Sequence, residues 1–534
     1  MRLFGKLIAI ACAAMGGLSV TLPSRAEEPK QGGILRIYHR DTPPSASILE
    51  EATISTIVPF MGVFNNLVIY NQGVEQNSLQ SIVPELATSW AWNADNTMLT
   101  LKLQPGVKWH DDKPFSAKDV VCTWDMLRAK SANPLRKNPR EPWYQNVSDV
   151  TAIADDEVVF KLSRPQPSLL AMLAAGYSAI YPCHVSARDM RLHPIGTGPF
   201  KFVEFKSGES MKLTRNPDYW RKGKPYLDGI EYTIIPNRST AILAFIAGKF
   251  DMTFPTEVTV PLLKDIASQA PQAICKTVPI GVSTNLIVNR EVPPFNNADI
   301  RRAMALTIDR KQFIDILSEG KSDAGAAMLP PPEGVWGMPA EMLRTLPGYD
   351  PDVEKSRAEA RKLMEKNGYG NSNRLKVKVS TRNIAQYRDA GVILIDHLKH
   401  IYVDGELDPV ESANWDGKVA RKDYSVGMNL TGTAVDDPDV AFYENYGCGS
   451  QRNYTQYCNR DLQAQFDKQS VETNFDARKK MVWDIDSKLQ EDIARPIIFH
   501  GRSATCWQPY VKDFTLMVNS SYNGYRFENV WLNK

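Results

Sequence analysis

Apolar and polar positions along this chain switch repeatedly between a period of two and a period near 3.6. Leu99, Leu101 and Leu103 alternate with Thr100 and Lys102, which predicts a half-buried strand entered from an Asn93–Asn96 turn and broken by Pro105-Gly106. Ser116 stands before Ala117-Lys118-Asp119, so its hydroxyl can cap a helix start whose positive end the Asp119 carboxylate complements. Further on, Gly196 and Gly198 permit a turn before a strand through Phe200, Phe202 and Val203 to Phe205.

The helical period returns later. Ser239-Thr240 are placed to cap a helix with Ile242, Leu243, Phe245 and Ile246 on its apolar side and Gly248 at its end. Ile300, Ala303, Met304 and Ile308 share one face, and Ala360, Leu363 and Met364 face inward from a helix stopped at Gly368. Asn474 to Asp492 predicts another helix with Met481, Val482, Ile485 and Leu489 buried, followed by a short apolar strand from Arg495 to Phe499. Strands and helices mixed in this way predict an α/β protein.

The N-terminus changes the expected compartment. Arg2 and Lys6 precede an apolar run from Leu7 to Leu22, and Ser24-Arg25-Ala26 has small residues where a signal peptidase reads, so residues 1–26 are expected to be a cleaved secretory signal. The run is shorter than the ~20 residues of a spanning helix, and charged residues interrupt every later apolar stretch. A soluble periplasmic product of about 500 residues is expected, long enough for more than one domain. The whole chain carries a formal charge of +2, and loss of Arg2, Lys6 and Arg25 makes it slightly negative, which argues against a nucleic-acid partner.

Of the seven cysteines, only Cys12 lies in the leader. The other six suggest disulfides in an oxidising compartment, and fifteen pairings are open. Cys448 and Cys458 close a short loop rich in Gly, Ser, Asn and Gln. There is no Cys-x-x-Cys, and His397 and His400 lack an evident third ligand, so neither a metal nor any cofactor is expected. Gly-x-x-x-x-Gly-Lys-Ser/Thr, Gly-x-Ser-x-Gly and His-Glu-x-x-His are all absent, which points away from an enzyme.

The stretch Val83 to Val120, VPELATSWAWNADNTMLTLKLQPGVKWHDDKPFSAKDV, resembles the signature of the bacterial periplasmic solute-binding proteins of the peptide/nickel type, family 5. The order continues with PIGTGPF and NPDYW between Pro194 and Trp220, a strand, a helix and Gly-x-x-Asp between Lys224 and Asp251, and the Asn, Pro-Phe, Arg-x-Ala and Ile-Asp-Arg elements between Ser283 and Leu317. The resemblance implies a two-lobed α/β periplasmic binding protein fold, the large three-part variant, with a hinge and an interlobe ligand cleft. On that plan the large lobe covers 27–277 plus 504–534 and the small lobe 278–503, with crossings near Val278–Gly281 and Ser503–Trp507. Cys275 and Cys506 flank the crossings, where a disulfide would tie the strands together. Relatives also carry a short bridge near Cys448–Cys458.

The resemblance further implies a monomeric receptor that captures a peptide or peptide-like solute and passes it to the membrane permease of an ABC importer. A non-peptide polar solute such as an opine or oligosaccharide is the alternative, and a secreted hydrolase or periplasmic chaperone a distant one. In peptide-binding relatives an Asp four residues before the proline of the Asp-Asp-Pro-Asp motif pairs with the peptide ammonium; here that position is Ala434, and Asp436 or Asp437 would have to substitute. Trp415, Asn429, Thr431 and Thr433 are the other candidates in this region, and Tyr38, His39 and Asn65 are candidates from the N-terminal part.

Overall fold

The computed structural model describes residues 27–432 and 434–534; the expected signal segment and Thr433 lie outside them. Three sheets carry the architecture, each with its own helices. The first pairs strand Ile34–His39 in parallel with Gly229–Ile234, which continues antiparallel to Ser210–Arg215 and Phe200–Lys206. The second is an antiparallel sheet in the order Ala87–Trp92, Met98–Leu103, Glu157–Leu162, Val147–Ala154. The third is mixed: Val403–Val410, Leu375–Arg382, Val426–Gly432, Ile274–Val288 and Ile497–Trp507.

The period-two strand is present as Met98–Leu103, with Leu99, Leu101 and Leu103 buried. Helix Ala117–Leu127 starts where the Ser116 N–H donates to Asp119 Oδ2 at 3.0 Å. Trp124 on this helix meets Phe160 and Tyr144 edge-on, locking the helix to the second sheet.

Two local expectations change. Helix Arg238–Ile246 is capped by Asn237, whose Oδ1 accepts from the Thr240 N–H at 2.9 Å; Ser239 and Thr240 are inside the helix, and Leu243 faces solvent. The glycines of Gly-Thr-Gly-Pro serve close approach: a Cβ on Gly196 would sit 1.8 Å from the Val63 carbonyl oxygen, and one on Gly198 2.5 Å from the Val63 carbonyl carbon. The turn brings the chain against residues 62–64.

Buried apolar residues divide the fold where the long strands cross. The largest cluster gathers residues from Leu35 to Ala270 and again from Ala504 to Leu532, joined by Ala434, Val435 and Val440. A second runs from Leu286 to Phe499 around the third sheet. Strands Ile274–Val288 and Ile497–Trp507 pass between them as an antiparallel pair, with Val278 opposite Ser503 and Cys275 opposite Cys506. Three disulfides are formed: Cys122–Cys183, Cys275–Cys506 and Cys448–Cys458. The second bridges the crossing strands themselves.

Among the described residues, no helix is long and apolar enough to cross a membrane.

Candidate ligand cleft

A narrow cavity, about 40 Å³ in volume, lies between the largest apolar cluster and a small one built on Tyr387, Trp415 and Tyr454. One wall comes from the N-terminal part and the C-terminal tail: Arg40, the Ala52–Ile54 turn, Thr256, Ser521 and Tyr522. The opposite wall comes from the third sheet and its helices, with Arg382 and Asn429 on strands and Gln386, Tyr387, Trp415 and Asp416 on helices, beside Arg452 and Tyr454 of the loop closed by Cys448–Cys458. Ile280 and Val282 of the crossing strand form the floor.

Buried polar contacts span the cleft and hold the walls together. Asp41, two residues beyond the first strand, pairs with Arg382 at the end of its strand, and Ser412 Oγ donates to the same carboxylate oxygen at 2.8 Å. Burial alone would raise the Asp41 carboxyl, but Arg382 and then Arg40 outweigh it and hold it well below the usual carboxylate range. Arg40 donates to Gln386 Oε1 at 2.8 Å, and Gln386 donates back to the Thr256 carbonyl at 2.8 Å. Lys137 donates to Glu51 at 2.5 Å and lies 3.9 Å from Asp416 across the gap. On the far side Trp143 Nε1 donates to Glu444 at 2.6 Å, and Glu444 also pairs with Arg452.

The expected site residues divide. Trp415 and Asn429 line the cavity. Trp415 is also packed edge-on against Tyr387, so it both builds and faces the site. Thr431 is adjacent on the strand but engaged: Arg495 donates to its Oγ1 at 3.1 Å, and Asn429 Nδ2 does so at 3.1 Å.

The others are occupied elsewhere. Tyr38 and His39 are buried in the first core, where His39 Nε2 lies 2.9 Å from the Ser55 carbonyl and burial pushes its pKa down to about 4. Asn65 donates to Glu85 at 2.6 Å and accepts from Thr197 and Trp220, a network that holds the Gly-Thr-Gly turn.

The Ala434 carbonyl accepts from Ser520 at 2.8 Å and Asn523 at 3.0 Å, so this loop is tied to the C-terminal tail. Asp437 caps helix Pro438–Asn445 and takes two hydrogen bonds from Arg478, at 2.9 and 3.0 Å. Asp436 accepts from the Val335 N–H at 3.2 Å, and burial pushes its carboxyl up to about 7. Neither aspartate lines the cavity; helix capping and Arg478 turn Asp437 away, and the 335–336 loop takes Asp436.

Sequence reasoning did not single out Arg40, Arg382, Arg452, Tyr522 or Asp416. Asp416 is the carboxylate that faces the space, and it follows Trp415 directly, so the aromatic residue was a usable signal. Arg40 and Arg382 gave none, because their acidic partners Glu257 and Asp41 lie hundreds of positions away.

The family model for bacterial extracellular solute-binding proteins, family 5 Middle, matches residues 81–453. The chain belongs to this family. Heme-binding protein A of Haemophilus influenzae is 24% identical over 452 residues, covering 78% of each chain. Among solved structures, the periplasmic binding protein DppA of Helicobacter pylori in complex with the peptide STSA superposes with a TM-score of 0.83 at 21% identity, over 95% of this chain and 99% of that one. AgaA of A. tumefaciens R10 in complex with agropinic acid gives 0.81 at 21% identity, over 94% and 99%. These likenesses show that the family 5 chain has the two-lobed α/β binding-protein fold, in a family of solute-binding proteins rather than enzymes.

Proposed function

We propose that this chain is the periplasmic substrate-binding subunit of an ABC importer, which captures a small peptide-like solute between its lobes and delivers it to the permease. The observation that carries the reading is the cavity itself, walled by aromatic, amide and charged side chains from both lobes and floored by the strands that join them. A solute touching both walls favours the closed arrangement by its differential affinity for the two states, and no bond of the solute needs to change. The hinge is assigned to Val278–Gly281 and Ser503–Trp507, with lobes of 27–277 plus 504–534 and 278–503. Export through a cleaved leader ending at Ala26, and action as a monomer, complete the proposal.

A non-peptide polar solute is the second reading. It is favoured by Ala434, whose side chain offers no counter-charge at the position expected to meet a peptide ammonium, and by the agropinic acid complex of AgaA. The test is mass spectrometry of small molecules released when mature protein, purified without refolding, is denatured. A peptide or other polar metabolite in stoichiometric amount supports the receptor. Turnover of added peptide or ester substrates would sink it in favour of a hydrolase.

A further inference from the structure

The charges around the cavity do not balance. Arg40, Arg382 and Arg452 line the space with Asp416 as the facing carboxylate. Their protein partners are shared: Asp41 serves Arg382 and lies 4.0 Å from Arg40, Glu257 serves Arg238 as well as Arg40, and Glu444 serves Arg452. Behind the wall, Arg140 lies flat on Tyr177 with its guanidinium carbon 3.8 Å from the ring centroid, and Tyr177 in turn sits 5.4 Å from the Tyr522 ring of the cavity wall.

Arg140 is 1% exposed and has no carboxylate partner among the described residues; its one hydrogen bond goes to the Glu51 carbonyl at 3.1 Å. Burial first, then repulsion from Arg452, pushes its pKa down to about 10, so it stays charged at neutral pH.

Unsatisfied polar atoms cluster at the same place. Nε of Arg40, Nε of Arg452, and both Nε and Nη1 of Arg140 are buried without a partner among the described residues, as is the Tyr177 hydroxyl. On the acceptor side, Asp416 Oδ2 has no hydrogen-bond partner among them, Lys137 Nζ facing it from 3.9 Å. A buried guanidinium with open N–H groups is costly unless an anion completes it, and Arg40 and Arg452 line the cavity with open Nε–H groups suited to carboxylate oxygens, backed by the Arg140 charge.

We propose that the solute carries net negative charge, with more carboxylates than amines: an acid group is held between the walls by Arg452 and Arg40, with the unpaired Arg140 charge behind them, and an amine or hydroxyl faces Asp416. This rests on the receptor reading and narrows its ligand class. Acidic peptides and opine-type N-carboxyalkyl amino acids share this chemistry.

The test is isothermal titration of the dialysed mature protein at pH 7.5 with four probes, Ala-Glu, N-(1-carboxyethyl)alanine, zwitterionic Ala-Ala and the cationic Ala-Ala amide, and with N-acetyl-Ala-Glu as the amine-blocked control. Binding of either net-anionic probe, with the amide at least about tenfold weaker, is expected. Preference for Ala-Glu identifies the acidic peptide, and preference for the N-carboxyethyl compound the opine type. Arg140→Gln should weaken the anionic probe by about 10- to 100-fold, and Arg140→Lys by less. Asp416→Asn, which keeps the arginines, should weaken the amine-bearing probes and spare N-acetyl-Ala-Glu, a readout independent of whether Arg140→Gln folds.

Equal or tighter binding of the amide, or unchanged binding in folded Arg140→Gln, overturns the anionic assignment and leaves the receptor reading standing. If no probe binds, the charge of the molecule released from natively purified protein decides, a neutral or cationic one overturning the assignment. Absence of both binding and a released molecule overturns the receptor reading as well.

Discussion

Asp41 and Arg382, 341 positions apart in the chain, form an ion pair buried across the cleft, with Ser412 donating to the same carboxylate oxygen at 2.8 Å. Asp41 follows the first strand and Arg382 ends a strand of the third sheet, so the pair joins the two walls of the cavity. It ties the walls together with the protein's own charges.

Replacing Arg382 by Met should therefore strand Asp41 in the interior. Truncating one partner of a buried pair costs about 3–5 kcal/mol where the other stays charged. Here the lobes can open and hydrate Asp41, so the expected result is a larger radius of gyration by small-angle X-ray scattering, with weaker solute binding. An unchanged radius and affinity would show that the ion pair does not hold the cleft closed.

His39 makes stability depend on pH in a definable window. Its folded pKa is pushed down to about 4 by burial, while an unfolded histidine titrates near 6.5, so the native state keeps it neutral while the unfolded chain takes up a proton. Its contribution is present above about pH 6.5 and is lost as pH falls toward 4. Chemical denaturation of wild type and His39→Gln at pH 7.5 and pH 5 should show wild type losing about 1.4 kcal/mol per pH unit more than the variant within this window. Parallel pH dependence would refute it.

Cys275–Cys506 closes a sequence separation of 231 residues, against 10 for Cys448–Cys458. On the chain-entropy estimate the long loop is worth about 5 kcal/mol and the short one about 3 kcal/mol, before native-state effects. Replacing both Cys275 and Cys506 by Ala should lower the melting temperature more than the Cys448/Cys458 double variant does, as read by calorimetry under non-reducing conditions.

Gly196→Ala places a methyl group 1.8 Å from the Val63 carbonyl oxygen, a backbone atom that cannot swing aside. Overpacking of this kind costs about 1–3 kcal/mol or more. Gly106→Ala, where no atom lies within 4 Å, isolates backbone strain at φ +73° without a clash. Urea midpoints of the two variants should separate, with Gly196→Ala the lower.

Period-two and helical patterning located the strand Met98–Leu103, the helix with Ala360 and Met364 inward, and the one with Val482, Ile485 and Leu489 inward, because burial of one face leaves a trace at every second or third-to-fourth residue. Ordered motifs carried the family. Trp415 and Asn429, expected as ligand contacts, are among the residues lining the cavity, and the loop of Cys448 and Cys458 was legible because its ends are close in sequence.

Only the tertiary structure decided which charges meet. Asp436 and Asp437 are indistinguishable from ligand-pairing acids in a row of residues, yet Arg478 and the Val335 N–H claim them. Arg452 and Asp416 have no local pattern at all; they line one cavity because the third sheet, its helices and the C-terminal tail bring its walls together. Backbone periodicity is a short-range property written along the chain, whereas the electrostatics of a cleft are set by long-range neighbours and by desolvation, which exist only once the chain has closed on itself.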